Sequence, residues 1–164
     1  MEELIKIFES VRDIPYRIPL SLEEEDNCCS GKHKKLLRIL KERGYEVKYR
    51  VCVFLWSSLN LPKDLKKISH SGKSSHIYLE IKLDGVWRIL DATWDKGLKG
   101  LFHVNEWDGK SNTEIAVKPV KIFSAEETTK VVKMENDEIS IKRDLEANGK
   151  FYEAFNKWLE KNRC

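Results

Sequence analysis

Residues 76 to 93, HIYLEIKLDGVWRILDAT, constrain this chain more than any other stretch. Two runs rich in β-branched and aromatic residues flank Asp84-Gly85, a dipeptide that readily takes the positive φ angles of a two-residue hairpin turn. With such a turn Leu83 pairs with Val86, and the register sets Tyr78 opposite Asp91 and His76 opposite Thr93. One face of the hairpin carries Ile77, Leu79, Ile81, Val86, Leu90 and Ala92 and is the expected core face. On the other face His76 and Asp91 are diagonal neighbours with Cβ atoms up to roughly 7–8 Å apart, a gap that their side chains span.

The rest of the chain builds an α+β order around this hairpin. Leu4, Phe8 and Val11 fall at helical spacing, so residues 2 to 12 are expected to be helical and to stop before Pro15. A second helix is expected over about residues 28 to 43, with Gly44 ending it. VKYRVCVFLW then reads as a strand, and TEIAVKPV, residues 113 to 120, as a fourth. Ser124 and Glu127 have the spacing of a capping box. Phe151, Phe155, Trp158 and Leu159 stripe a C-terminal helix over about residues 148 to 162. At 164 residues, 41% of them hydrophobic, the chain suits one core and is expected to form a single domain over residues 1 to 164. The connection from Ser57 to Ser75 is long for a compact domain and is expected to wall a groove.

Charge argues against several function classes. Thirty Lys and Arg oppose 27 Asp and Glu with the signs interspersed, so the net +3 points to neither a nucleic-acid nor a membrane partner. The densest basic stretch, from Lys32 to Arg43, is expected to be a solvated helix face. No stretch approaches the roughly 18 apolar residues of a membrane span, and the start MEELIKIFES lacks the build of a signal peptide. A cytoplasmic location with reduced thiols is the expectation. The four cysteines form no CxxC pair, so no structural metal and no cofactor is expected. GKSS at residues 72 to 75 is no P-loop, because Lys67 stands where its first glycine would have to be.

Cys28 and Cys29 open the second helix. Cys29, His33, Leu36, Leu37 and Leu40 share one helical face, whereas Cys28 is turned by about 100° toward Lys32, Lys35 and Ile39. Cys29 is therefore the thiol expected to face the body of the protein. It lies in the first turn, where free N–H groups and the macrodipole favour a thiolate, although the acidic run from Glu23 to Asp26 opposes them. An isolated cysteine there reads as a small buried residue. A His held by a carboxylate on the hairpin changes that reading, since Cys29, His76 and Asp91 together meet the needs of nucleophile, base and orienter. His33 lies one turn after Cys29 but has no carboxylate orienter in the sequence, so a packed or surface role is expected. A redox or metal role for the cysteine pair is disfavoured by the strained ring that adjacent cysteines form and by their spacing.

VRDIPYRI, CSGKHKKLLRILKERGYEVKYR and SSHIYLEIKLDGVWRILDATWD, in that order, resemble the transglutaminase-like superfamily over about residues 11 to 120. That resemblance implies a papain-like fold, with Cys29 at a helix N-terminus and His76 and Asp91 on adjacent strands as a catalytic triad. It implies acyl transfer on amide bonds through a thioester, with a peptide or protein as substrate. Peptide or amide hydrolysis is expected first. Protein-glutamine transamidation and a non-catalytic binding module are the alternatives. For the oxyanion, the backbone N–H of Cys29 is one expected donor. Papain-like enzymes often add a Gln, this chain has none, and Asn27 or Tyr16 is the candidate in its place. Lys63, Lys66, Lys67 and Lys73 on the long connection are expected to repel a protonated amine, leaving water to resolve the thioester.

Overall fold

The computed structural model describes residues 1–164 and has five helices and a four-stranded antiparallel sheet. Helix α1 (Glu2–Arg12) turns Leu4, Ile7, Phe8 and Val11 inward. Helix α2 (Cys29–Glu42) buries His33, Leu36 and Leu40. Gly44 ends it with φ +82°, and the N–H groups of Gly44 and Tyr45 bond back to the carbonyls of Lys41 and Leu40, a Schellman closure.

Strands β1 (Val47–Leu55), β2 (Lys73–Leu83), β3 (Val86–Leu90) and β4 (Lys121–Ile122) lie in the order β3-β2-β1-β4. The β2–β3 hairpin has the expected register, with Leu83 opposite Val86 and Leu79 opposite Leu90. Asp84 and Gly85 both have positive φ, 50° and 79°, as a turn matched to strand twist requires. Leu79, Ile81, Leu90 and Ala92 pack with α1 and α2 in one apolar cluster. Val86, expected on that core face, is instead exposed at the hairpin tip. A second cluster gathers Cys52, Phe54, Trp56 and Tyr78 with Phe151, Phe155 and Leu159.

Two expectations are corrected. Residues 113 to 120 form no strand, and β4 is only Lys121–Ile122. The N–H groups of Glu114 and Ala116 go to the side chains of Asn105 and Asp91 and Pro119 has none, so only single backbone bonds, Thr113 to Ile89 and Val120 to Val53, join the segment to the strands and no continuous ladder forms. The connection from Ser57 to Ser75 contains helix α3 (Lys63–Lys66), and its Leu59, Leu61 and Leu65 are buried. The last helix, α5 (Glu138–Asn162), begins well before residue 148, capped by Asp137, which accepts from the Ser140 N–H at 2.9 Å. Before it, α4 (Ala125–Met134) carries the anticipated capping box of Ser124 and Glu127. No helix is long and apolar enough to cross a membrane.

Candidate active site

The start of α2 is shaped by Asp26. Its carboxylate accepts from the Cys28 N–H at 2.9 Å and from the Ser30 hydroxyl at 2.6 Å, while Cys28 holds the extended N-cap position without a side-chain cap of its own. Gly31 makes this possible. A Cβ there would stand 1.9 Å from the Asp26 carbonyl oxygen, so the preceding chain can lie against the helix only over a glycine. Cys29 is thereby the first helical residue, in the turn whose N–H groups lack intrahelical partners.

Two histidines converge behind it. His33 Nε2 accepts from the Ala92 N–H at 2.9 Å, which puts its proton on Nδ1, where it donates to the Cys29 carbonyl at 2.8 Å. Burial holds its pKa below the usual histidine value, against Asp91, whose Oδ1 is 3.6 Å away. His33 is thus a neutral packing residue that ties α2 to the end of the hairpin. His76 is its opposite. Its Nε2 lies 2.7 Å from Asp91 Oδ2, both side chains are buried, and Nδ1 is left available to a thiol. Burial opposes its charge, but the Asp91 carboxylate and then Cys29 outweigh that and push the imidazole up to about 10.

Asp91 is held ionised and oriented. Burial works against its charge, yet His76, His33 and the Thr93 side chain keep its pKa below the usual carboxylate range, and the Thr93 N–H donates to it at 3.0 Å. The Ala116 N–H adds a bond of 2.8 Å to the same carboxylate. Its backbone is fixed as well, the N–H on Thr113 Oγ1 at 2.8 Å and the carbonyl on Asn105 Nδ2 at 2.9 Å. The irregular segment that replaces the expected strand therefore serves as the cradle of Asp91.

The adjacent thiols are driven apart. Cys29 is held well below the usual thiol range by its Cys28 neighbour, then, against burial, by His76 and the Ile77 N–H. Cys28 is pushed well above it by Cys29, by burial and by Asp26. The acidic run expected to disfavour a thiolate at Cys29 thus acts mainly on Cys28. Cys52, paired across the sheet with His76, is raised to about 12 by burial, and Cys164 is exposed.

Both cysteines and His76 line a cavity of about 870 Å³. Tyr16 also lines it, 7% exposed, with a hydroxyl that makes no hydrogen bond. Its backbone is clamped, the N–H to Asp95 Oδ2 at 2.8 Å and the carbonyl by Arg163 Nη2 at 3.1 Å. Asn27 does not line the cavity, and its Oδ1 accepts from Lys35 at 2.7 Å. Compared with models of known protein families, with curated proteins and with solved structures, the chain matches none.

Lys32 departs from the expected solvated face. It is fully buried, and its Nζ donates to the carbonyls of Arg12 at 2.7 Å, Ile14 at 3.0 Å and Thr93 at 2.7 Å. Burial lowers its pKa to about 7 against the pull of Asp95 and Asp91. Its spacing of four residues from Leu36 and eight from Leu40 was the readable signal. The long connection also differs, because Leu59, Ser74 and Ser75 reach the cavity but Lys63, Lys66, Lys67 and Lys73 do not. That side of the cavity is not the cationic wall its lysines suggested. Glu135 and Asp144, from the α4–α5 junction, line the cavity too. Neither carried a sequence signal, since both lie outside any apolar stripe or motif.

Proposed function

We propose that this protein is a transglutaminase-like cysteine enzyme with a papain-like fold, cleaving a peptide or amide bond through a thioester on Cys29. The observation that carries the reading is the buried His76–Asp91 pair at 2.7 Å, facing a helix-start cysteine in a cavity of about 870 Å³. That volume suits a small-molecule or short peptide segment. Thiolate and imidazolium form an ion pair; the thiolate attacks the carbonyl carbon, and His76 gives its proton to the departing amine. Water then adds to the thioester as His76 takes its proton, and the acid leaves with Cys29 restored. The oxyanion would be met by the Cys29 backbone N–H and the free hydroxyl of Tyr16. Four free cysteines fit a reducing cytoplasm.

Transamidation is the second reading. The lysines expected to exclude an amine are not on the cavity wall, and carboxylates are. The test is acyl-enzyme trapping with an activated ester followed by mass spectrometry. A single adduct on Cys29, absent in Cys29→Ala and released by water, is expected. Release mainly to added amine would favour transamidation, and no adduct despite an intact fold would favour a non-catalytic binding module.

A further inference from the structure

The carboxylates around Cys29 are not matched by cations. Glu25 is paired with Lys35 at 2.7 Å, Glu24 lies 3.5 Å from Arg17, and Arg38, also on the wall, lies 3.9 Å from Glu42. Removing these leaves Asp26, Glu135 and Asp144 on the cavity wall without an ion-pair partner. Asp26 spends its oxygens on Cys28 and Ser30, and Asp144 accepts from the Tyr152 hydroxyl at 2.9 Å and Asn148 at 2.8 Å, all neutral donors. The one wall cation without a carboxylate, Lys34, is occupied by Asn136 Oδ1 at 3.0 Å. Glu135 is exposed to solvent on the cavity wall, where partial desolvation and the nearby Cys29, Asp26 and Asp144 raise its pKa above the usual carboxylate value, and a cation beside it would restore its charge.

A hydroxyl on the same wall also points to a ligand. Tyr16 is 7% exposed and lines the cavity, and its hydroxyl has no hydrogen-bond partner. Buried donors of this kind are normally satisfied by protein, water or ligand. The same wall also carries the apolar Leu37, Ile141 and Leu145. Such a surface covers the methylene stem of a long basic side chain and leaves its head for the acids.

We infer that the cavity takes a substrate bearing an ammonium or guanidinium group on an aliphatic stem, with Glu135 as its specificity determinant. This rests on the acyl-transfer reading for the reaction, but the cation preference concerns binding and is tested without turnover. Calorimetric titration of the whole protein with Nα-acetyl-lysine amide and with its norleucine analogue is expected to favour lysine by about tenfold or more. Glu135→Gln should shrink that ratio severalfold, and Glu135→Lys should abolish it. Equal binding of the two amides would overturn the inference, whatever the protein catalyses. So would a lysine preference undiminished in both variants.

Turnover then separates the two sources of the cation. Nα-blocked lysine and norleucine p-nitrophenyl esters place it in the acyl part, and a lower KM for the lysine ester supports that source. A norleucine ester with added alkylamine places it in the acceptor, where Glu135-dependent amide product supports the other. Lysine binding without Cys29-dependent turnover of either ester would sustain the inference and sink the acyl-transfer reading.

Discussion

His33 and His76 have ring centroids 6.4 Å apart in one buried neighbourhood, yet their hydrogen bonds assign them different charge states, neutral and cationic. The backbone N–H of Ala92 occupies the acceptor nitrogen of His33 and stabilises the neutral ring, whereas the Asp91 carboxylate stabilises imidazolium at His76. The same division separates the cysteines. Near neutral pH Cys29 should be alkylated at least about tenfold faster than Cys28, Cys52 or Cys164, as read by mass spectrometry with limiting reagent. Equal rates at Cys28 and Cys29 would undo the assignment. Asp91→Asn keeps the size of the side chain but removes the charge that orients His76, and turnover of an ester is expected to fall by about 10²–10⁴. An unimpaired Asp91→Asn enzyme would leave His76 without the role given to it.

At the scale of elements, two devices position the site. The Asp26 segment lies over Gly31, and Gly31→Ala forces a backbone clash at 1.9 Å, so a loss of about 3 kcal/mol or more is expected in urea unfolding. A wild-type midpoint would show that the segment yields easily. The other device joins the end of α5 to the loop before α2: Arg163 bonds Asp95 and the Tyr16 carbonyl, while Asp95 takes the Tyr16 N–H. Arg163→Ala should lower kcat for an ester by about tenfold through the freed Tyr16, leaving the alkylation rate of Cys29 unchanged. Loss of both together would mean that Arg163 supports the whole site instead of the tyrosine.

For the whole molecule, buried charge sets the pH dependence of stability. His76 binds its proton more tightly folded than unfolded, so its contribution is intact below about pH 6.5 and is lost as pH rises toward about 10. Lys32 has the opposite sign. Its folded pKa of about 7 lies below the unfolded value, so the cost of its buried ammonium is largest at low pH and is relieved as pH climbs through the ordinary lysine range. The two displacements are similar in size and offset each other between about pH 7 and 10. Against the wild type, His76→Asn should therefore gain stability with rising pH over that range, and Lys32→Met should lose it, in urea unfolding at successive pH values. Parallel curves for all three proteins would show that neither group titrates as described. Asp91 adds an acid limb, because its depressed pKa contributes stability that is lost as pH falls below the carboxylate range.

Local signals in the sequence determined the hairpin, its register and the phase of α2, because turn chemistry and side-chain periodicity act between near neighbours. From these alone His76 and Asp91 were legible as partners and Cys29 as the inward thiol. Tertiary structure decided what needs distant chain segments. Asp91 takes the N–H of Ala116, 25 residues on, and so turns an apparent strand into a cradle. Lys32 is buried because carbonyls from α1, the loop after it and the hairpin end meet at its Nζ, a convergence that no charge pattern announces. Tyr16 stands on the cavity wall and Asn27 does not, since Arg163 and Asp95 clamp the one and Lys35 holds the other outside. The charge facing Cys29 was likewise decided in space: the lysines of the long connection stay off the wall, and the α4–α5 junction brings Glu135 and Asp144 onto it. Electrostatic fields depend on distance through the fold, and distance along the chain does not measure it.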